Sequence, residues 1–282
     1  MNRRTLLKTS SLAITGFSIP SSIYSKTDTI PFQESLKGGE PPKYFPNIDP
    51  KVISEVVGKS HFDLSRVKEL VDIRPELSAS VWEWRFGDFE SAIGAASHVG
   101  RRDIALYLMS KGARPTLFTF AMLGAYGVVK SAIESAPGIQ KITGPHGISL
   151  LEHAYAGERQ KDSMTNEEIK NLEITIDYLT TLGNAHGEDY IEVTGEEQKK
   201  YLGNYFYGNN EMDGFRIQIN MRSLLSLGPI NGFGGALYKV GDNKFIYNGA
   251  PSVNISFDIQ NSIVKSLTLS EPGFSITAIK VL

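Results

Sequence analysis

The feature that most constrains this 282-residue chain is a change of hydrophobic period near Gly187. Before it, apolar residues cluster in short segments with helix spacing, separated by glycine turns. After it, Phe215, Ile217, Ile219 and Met221 alternate with Arg216, Gln218, Asn220 and Arg222. Val253, Ile255, Phe257 and Ile259 repeat that alternation against Asn254, Ser256, Asp258 and Gln260. A period of two argues strands with one buried face. The length agrees with two domains at roughly 150 residues each. The expected class is therefore α+β, with a helical domain over residues 47–186 and an antiparallel β domain over 190–282.

The helical part is internally repetitive. Asp88-Phe89-Glu90-Ser91-Ala92-Ile93-Gly94-Ala95-Ala96 is followed by Gly100, an apolar face of Ile104, Leu106 and Leu108, and Lys111-Gly112-Ala113. The cadence returns at His146 to Ala154, with a second helix from about Ile169 to Leu182 stopped by Gly183. A degenerate copy runs from Phe118 through Ile133, and a first copy from Asp49-Pro50 to Pro75. These residues resemble ankyrin repeats, most closely between Asp88 and Ala113. Ser91 and Ser149 stand where that family has threonine, Ala92 and Leu150 where it has proline, and Gly94 and Glu152 where it has histidine. The copies are also spaced more closely than the roughly 33 residues of the regular repeat. The resemblance implies an α-solenoid of about four helix pairs whose concave side binds another protein.

Two inserts interrupt the cadence, Arg74–Gly87 and Gly157–Asn166. The first holds both tryptophans, in Trp82-Glu83-Trp84-Arg85-Phe86. Aromatic rings beside an arginine have the composition of an interface hot spot, so Trp82, Trp84, Arg85 and Phe86 are candidate protein contacts. His98, near a helix end and directed to the concave groove, and His146, in the turn Gly144-Pro145-His146-Gly147, complete the candidate contacts. Packing of both tryptophans beneath their loop stays open as an alternative.

In the β domain, turns at Gly208-Asn209-Asn210, Gly241-Asp242-Asn243, Gln260-Asn261-Ser262 and Pro272-Gly273 separate seven or eight short strands, which implies a small barrel or a strongly curled sheet. A short helix at Glu196 to Tyr201 leads in. Tyr201-Leu202-Gly203-Asn204-Tyr205, the late strand through Phe257-Asp258, and Ile276 to Ile279 resemble the small C-terminal β domain of serine β-lactamase-like hydrolases. Asn261 departs from the glycine common there, but asparagine tolerates positive φ. A small apolar ligand held among Phe215, Ile217, Tyr238 and Phe257 is the alternative function; the same residues also read as plain core.

The start of the chain reads as an address. Arg3, Arg4 and Lys8 precede a short apolar run, Leu12 to Ile19, and Pro20. Asn2-Arg3-Arg4-Thr5-Leu6-Leu7-Lys8 resembles the twin-arginine motif, which implies export of a folded protein to the periplasm or beyond. Residues 1–25 are the expected signal and 26–46 a breaker-rich linker. The apolar run is far shorter than the ~20 residues that span a bilayer, so no stable membrane anchor is expected.

Composition narrows the chemistry. Lys and Arg number 29 against 31 Asp and Glu, a net charge of −2, which argues against nucleic acid as a partner. The absence of cysteine excludes disulfides, thiolate nucleophiles and Cys-ligated metals. Ser65-x-x-Lys68 and Ser262-x-x-Lys265 lack the Lys-Thr-Gly and Ser-Asp-Asn companions of an acylating serine, so no catalytic residue is expected. His61, His98, His146, His153 and His186 form no His-x-x-x-His or His-Glu-x-x-His pattern, so neither metal nor cofactor is expected. The sum is an exported, non-catalytic adaptor for an unidentified protein.

Overall fold

The computed structural model describes residues 42–281. The expected signal, and the linker up to residue 41, lie outside the described residues. The helical part begins at α1 (Pro50–Lys59), where the Asp49 carboxylate accepts from the Lys51 backbone N–H and Pro50 fills a position whose amide would have no partner. Asp63 caps α2 (Leu64–Ile73), and Ser91 caps α3 (Ala92–His98), which precedes α4 (Arg102–Ser110). Thr116 caps α5 (Leu117–Met122), followed by α6 (Tyr126–Ser135). Reciprocal capping boxes, Ser149 with Glu152 and Thr165 with Glu168, start α7 (Leu150–Ala156) and α8 (Asn166–Leu182). Gly183, at φ +71°, stops α8 where the sequence puts the stop.

These eight helices form four successive pairs, and the first helices α1, α3, α5 and α7 pack side by side in one row. Val56, Val57, Leu70, Val71, Ile93, Ile104 and Leu108 form one buried cluster, and Ala121, Val129, Ile133, Leu150, Ala154 and Leu179 another. No single pair could bury its apolar face alone, so the core exists only through stacking. Alanines 92, 95 and 96 of α3 are fully buried and let neighbouring backbones approach.

The insert at 74–87 is not a loop. Val81–Glu83 (β1) pairs antiparallel with Phe89–Ser91 (β2), in register Trp82↔Glu90. Asp88, Phe89 and Glu90, expected to open a helix, therefore belong to a hairpin. The cause is local: β-prone Val81, Trp82, Trp84 and Phe89 flank Phe86-Gly87, whose φ values of +56° and +80° make the reversal.

Helix α9 (Gly195–Tyr201) leads into a closed eight-stranded antiparallel barrel. Its strands are β3 (Gly203–Phe206), β4 (Gly214–Ile219), β5 (Leu225–Pro229), β6 (Gly235–Gly241), β7 (Lys244–Tyr247), β8 (Ala250–Gln260), β9 (Ile263–Glu271) and β10 (Phe274–Val281), with β10 closing on β3. Closure leaves no edge strand exposed. Tyr201, Tyr205, Phe245 and Phe257 fill the interior, with ring centroids 4.6–5.9 Å apart. Asn261 and Ser262 take φ +51° and +64° and turn the β8–β9 hairpin. The alternation read through Met221 ends two residues earlier. Met221 is fully exposed beyond β4, because the Asn220 side chain accepts from the Arg222 and Leu224 amides and turns the chain there. Among the described residues, no helix is long and apolar enough to cross a membrane.

Candidate metal centre

The stack brings together side chains that lie far apart in sequence. His61 follows α1, His98 ends α3, Glu90 lies in β2, and His146 sits in the loop before α7. One ligand atom from each lies within 4.8 Å of every other. His98 Nε2 is 3.1 Å from His61 Nε2 and 2.9 Å from Glu90 Oε1. His146 Nε2 is 3.3 Å from Glu90 Oε1, and His61 Nε2 is 3.4 Å from Glu90 Oε2. Ligands bound tetrahedrally at 2.0–2.1 Å are separated by ~3.3–3.4 Å, and the four separations just given, 2.9–3.4 Å, lie near that value.

Three of the four donors, His61, His146 and Glu90, are aimed by an outward bond. His61 Nδ1 lies 3.0 Å from the Gly58 carbonyl oxygen and His146 Nδ1 lies 2.7 Å from Asp88 Oδ2. Neither oxygen can donate, so both Nδ1 atoms carry the proton and Nε2 is the atom turned inward. Trp84 Nε1–H donates to Glu90 Oε2 at 2.7 Å. His98 ends its helix, whose side chains lean toward the N-terminus and so toward Glu90. Imidazoles fixed through the other ring nitrogen by a carbonyl or carboxylate are the usual outer shell of a metal site.

Burial makes the group costly without a cation. The Glu90 side chain is 0 % exposed and His98 9 %, while His61 at 20 % and His146 at 24 % reach solvent. Glu90 Oε1 has no aligned hydrogen-bond donor despite its two close imidazoles. Burial pushes the Glu90 carboxyl up, but the imidazoles of His146 and His98 outweigh it and hold Glu90 well below the usual carboxylate range. Burial also pushes His146 down; its bond to Asp88 and the close carboxylate of Glu90 outweigh burial, and it is raised to about 10. His98 is lowered to about 4, chiefly by burial against the pull of Glu90. His153, lowered by burial to about 4, donates through Nδ1 to the Ser149 carbonyl and leaves a buried Nε2 without a partner.

The sequence-based candidates are used differently. Trp82 and Trp84 are partly buried against the α1–α4 core. Arg85 donates to the Phe233 carbonyl at 2.8 Å, and Phe86 meets Tyr247 edge-on at 5.1 Å. Trp84 thus supports the histidine cluster, Arg85 and Phe86 contact the barrel, Trp82 packs on the helical core, and His98 and His146 lie within the cluster. Of the alternative set, Ile217 and Phe257 are barrel core, Phe215 packs beside Tyr207, and Tyr238 faces the array. An open cleft of about 510 Å³ does exist, but between the hairpin, the Thr143–Gly147 loop and the barrel residues Tyr247 to Ala250.

Sequence reasoning passed over His61 and Glu90. The available signal was positional: His61 and His98 stand at, or just past, the end of the first helix of successive pairs, which stacking makes neighbours. Comparison of the chain with family models, with curated proteins and with solved structures found no match.

Proposed function

We propose that this chain is a metal-binding protein in which an ankyrin-like array supplies a three-histidine, one-glutamate centre for a first-row divalent transition metal. The observation that carries it is the convergence of His61, His98 and His146 Nε2 on the Glu90 carboxylate at 2.9–3.4 Å. Three imidazoles and one carboxylate suit Zn²⁺ or Co²⁺; Ca²⁺ and Mg²⁺ call for more oxygen ligands. Four protein donors fill a tetrahedron and leave no position for substrate, which favours a structural centre over a hydrolytic one. The twin-arginine-like start supports export of the folded chain. An adaptor role would have to use the exposed side chains of the hairpin, Val81 and Phe89, since Trp82 and Trp84 are partly buried against the array.

Metal content and titration of the purified protein test the reading. One Zn²⁺ per chain, a Kd below about 1 μM, and the visible bands of tetrahedral Co²⁺ are expected. Loss of binding is expected in both His61→Ala and His98→Ala. Binding no tighter than millimolar, or unchanged in those variants, would falsify it.

A further inference from the structure

The bonds around Asp88 extend the centre beyond the array. Asp88 Oδ1 accepts from the His146 backbone N–H at 3.0 Å, and Oδ2 accepts from His146 Nδ1 at 2.7 Å. The same Oδ2 accepts from the Asn248 side-chain amide at 2.7 Å. Asn248 belongs to the barrel, in the β7–β8 turn, and is itself fixed: its Oδ1 accepts from the Ala236 N–H at 2.6 Å, and its own N–H donates to the Ala236 carbonyl at 2.8 Å. The barrel also holds the backbone of the histidine loop. Tyr238 Oη lies 3.2 Å from the His146 carbonyl oxygen and 3.3 Å from that of Gly147, and accepts from Arg222 Nη1 at 2.9 Å. His146 needs this support, since its φ of +60° is one that a non-glycine residue seldom keeps unaided. Gly147 admits the contact: a Cβ there would fall 2.9 Å from the Asn248 carbonyl oxygen.

We infer that Asn248 and Tyr238 are positioning residues of the metal centre, and that metal binding and docking of the barrel on the array strengthen each other. The inference rests on the metal-binding reading. An undocked barrel leaves Asp88 and the His146 loop without their outer supports, so one of the four donors is no longer held in place. Linkage makes the effect reciprocal: the factor by which docking tightens metal binding is the factor by which metal tightens docking.

The test uses the full chain. Zn²⁺ affinity is measured by competition with a chromophoric chelator in the wild type, Asn248→Ala and Tyr238→Phe. Docking is measured as the rate of glutamate-specific proteolysis at Glu188 and Glu192, in the exposed connector before α9, with Zn²⁺ and with chelator. Loss of an outer-shell partner lowers metal affinity about 10–100-fold, which is the drop expected for Asn248→Ala, with a smaller one for Tyr238→Phe. Zn²⁺ is expected to slow wild-type cleavage, and to slow it less in both variants. Co²⁺ bands shifted in the variants, at an unchanged chelator-state melting temperature, separate positioning from general damage. Wild-type affinity in both variants, or a connector cleaved equally with and without Zn²⁺, overturns the coupling while leaving the centre standing. A wild-type protein that binds no Zn²⁺ overturns both.

Discussion

The indole N–H of Trp84 donates to the carboxylate of Glu90 at 2.7 Å across a hairpin that the array and the barrel both touch. That bond turns an apparent surface aromatic into a support for a fully buried anion. Trp84→Phe keeps the ring packing but removes the donor. Zn²⁺ affinity should fall about 10–100-fold, as is usual when an outer-shell partner of a ligand is lost. The Co²⁺ absorption bands of the bound metal should shift in the variant, because the carboxylate that Trp84 aims is a proposed ligand; unshifted bands at wild-type affinity would place the metal elsewhere.

A ligand that binds only the folded state stabilises it by mass action. At Zn²⁺ one hundred times Kd the gain is about 2.7 kcal/mol, which for a chain of this size raises Tm by about 5–10 °C. Melting in chelator and in Zn²⁺ should show this rise for the wild type and none for His98→Ala. A rise of the same size in His98→Ala counts against the assigned ligands.

The tight turn between α3 and α4 depends on Gly100, at φ +72°, where a Cβ would lie 1.9 Å from the Ala156 carbonyl oxygen. Gly100→Ala cannot be accommodated by a side-chain adjustment, because the opposing atom is backbone at the end of α7. We expect a loss of more than about 2 kcal/mol in urea unfolding, from strain combined with overpacking. A loss below about 0.5 kcal/mol, the range of a neutral surface change, is incompatible with the packing described.

Glu152 joins the array to the barrel: it completes the capping box of α7 and forms an ion pair with Arg222. Burial pushes its carboxyl up, but the Ser149 amide and the Arg222 charge outweigh burial and hold it below its ordinary value. With the folded pKa depressed, its contribution is fully present above the unfolded value of about 4.3 and is lost as pH falls through the folded one. Melting temperature followed downward from pH 5 should drop more steeply in the wild type than in Glu152→Gln. Parallel curves would mean that the ion pair adds nothing to stability.

Much of the helical part was legible because its signals are local. Asp49-Pro50, Ser149-x-x-Glu152 and Thr165-x-x-Glu168 announce helix starts through bonds made within one turn, and Gly183 announces a stop through its own φ. The barrel was legible in kind, since alternation in β8 places Val253, Ile255 and Phe257 on one face. The β1–β2 hairpin is hidden in the sequence because Asp88 to Ala96 carries the cadence of a helical unit, although Phe89 and Glu90 precede the Ser91 cap.

By itself, then, the sequence determined where the chain turns from helices to strands, how most helices begin and end, and that no thiolate could serve any site. Only the tertiary structure decided that His61, Glu90, His98 and His146 meet. Those four residues come from three separate stretches of chain, and no local spacing encodes their distances. Stacking of helix pairs sets the separation of His61 from His98, the hairpin turns Glu90 inward, and the docked barrel holds His146. Such convergence arises from packing of the whole molecule, where hydrophobic burial supplies the free energy that brings polar groups into a site they would not form alone.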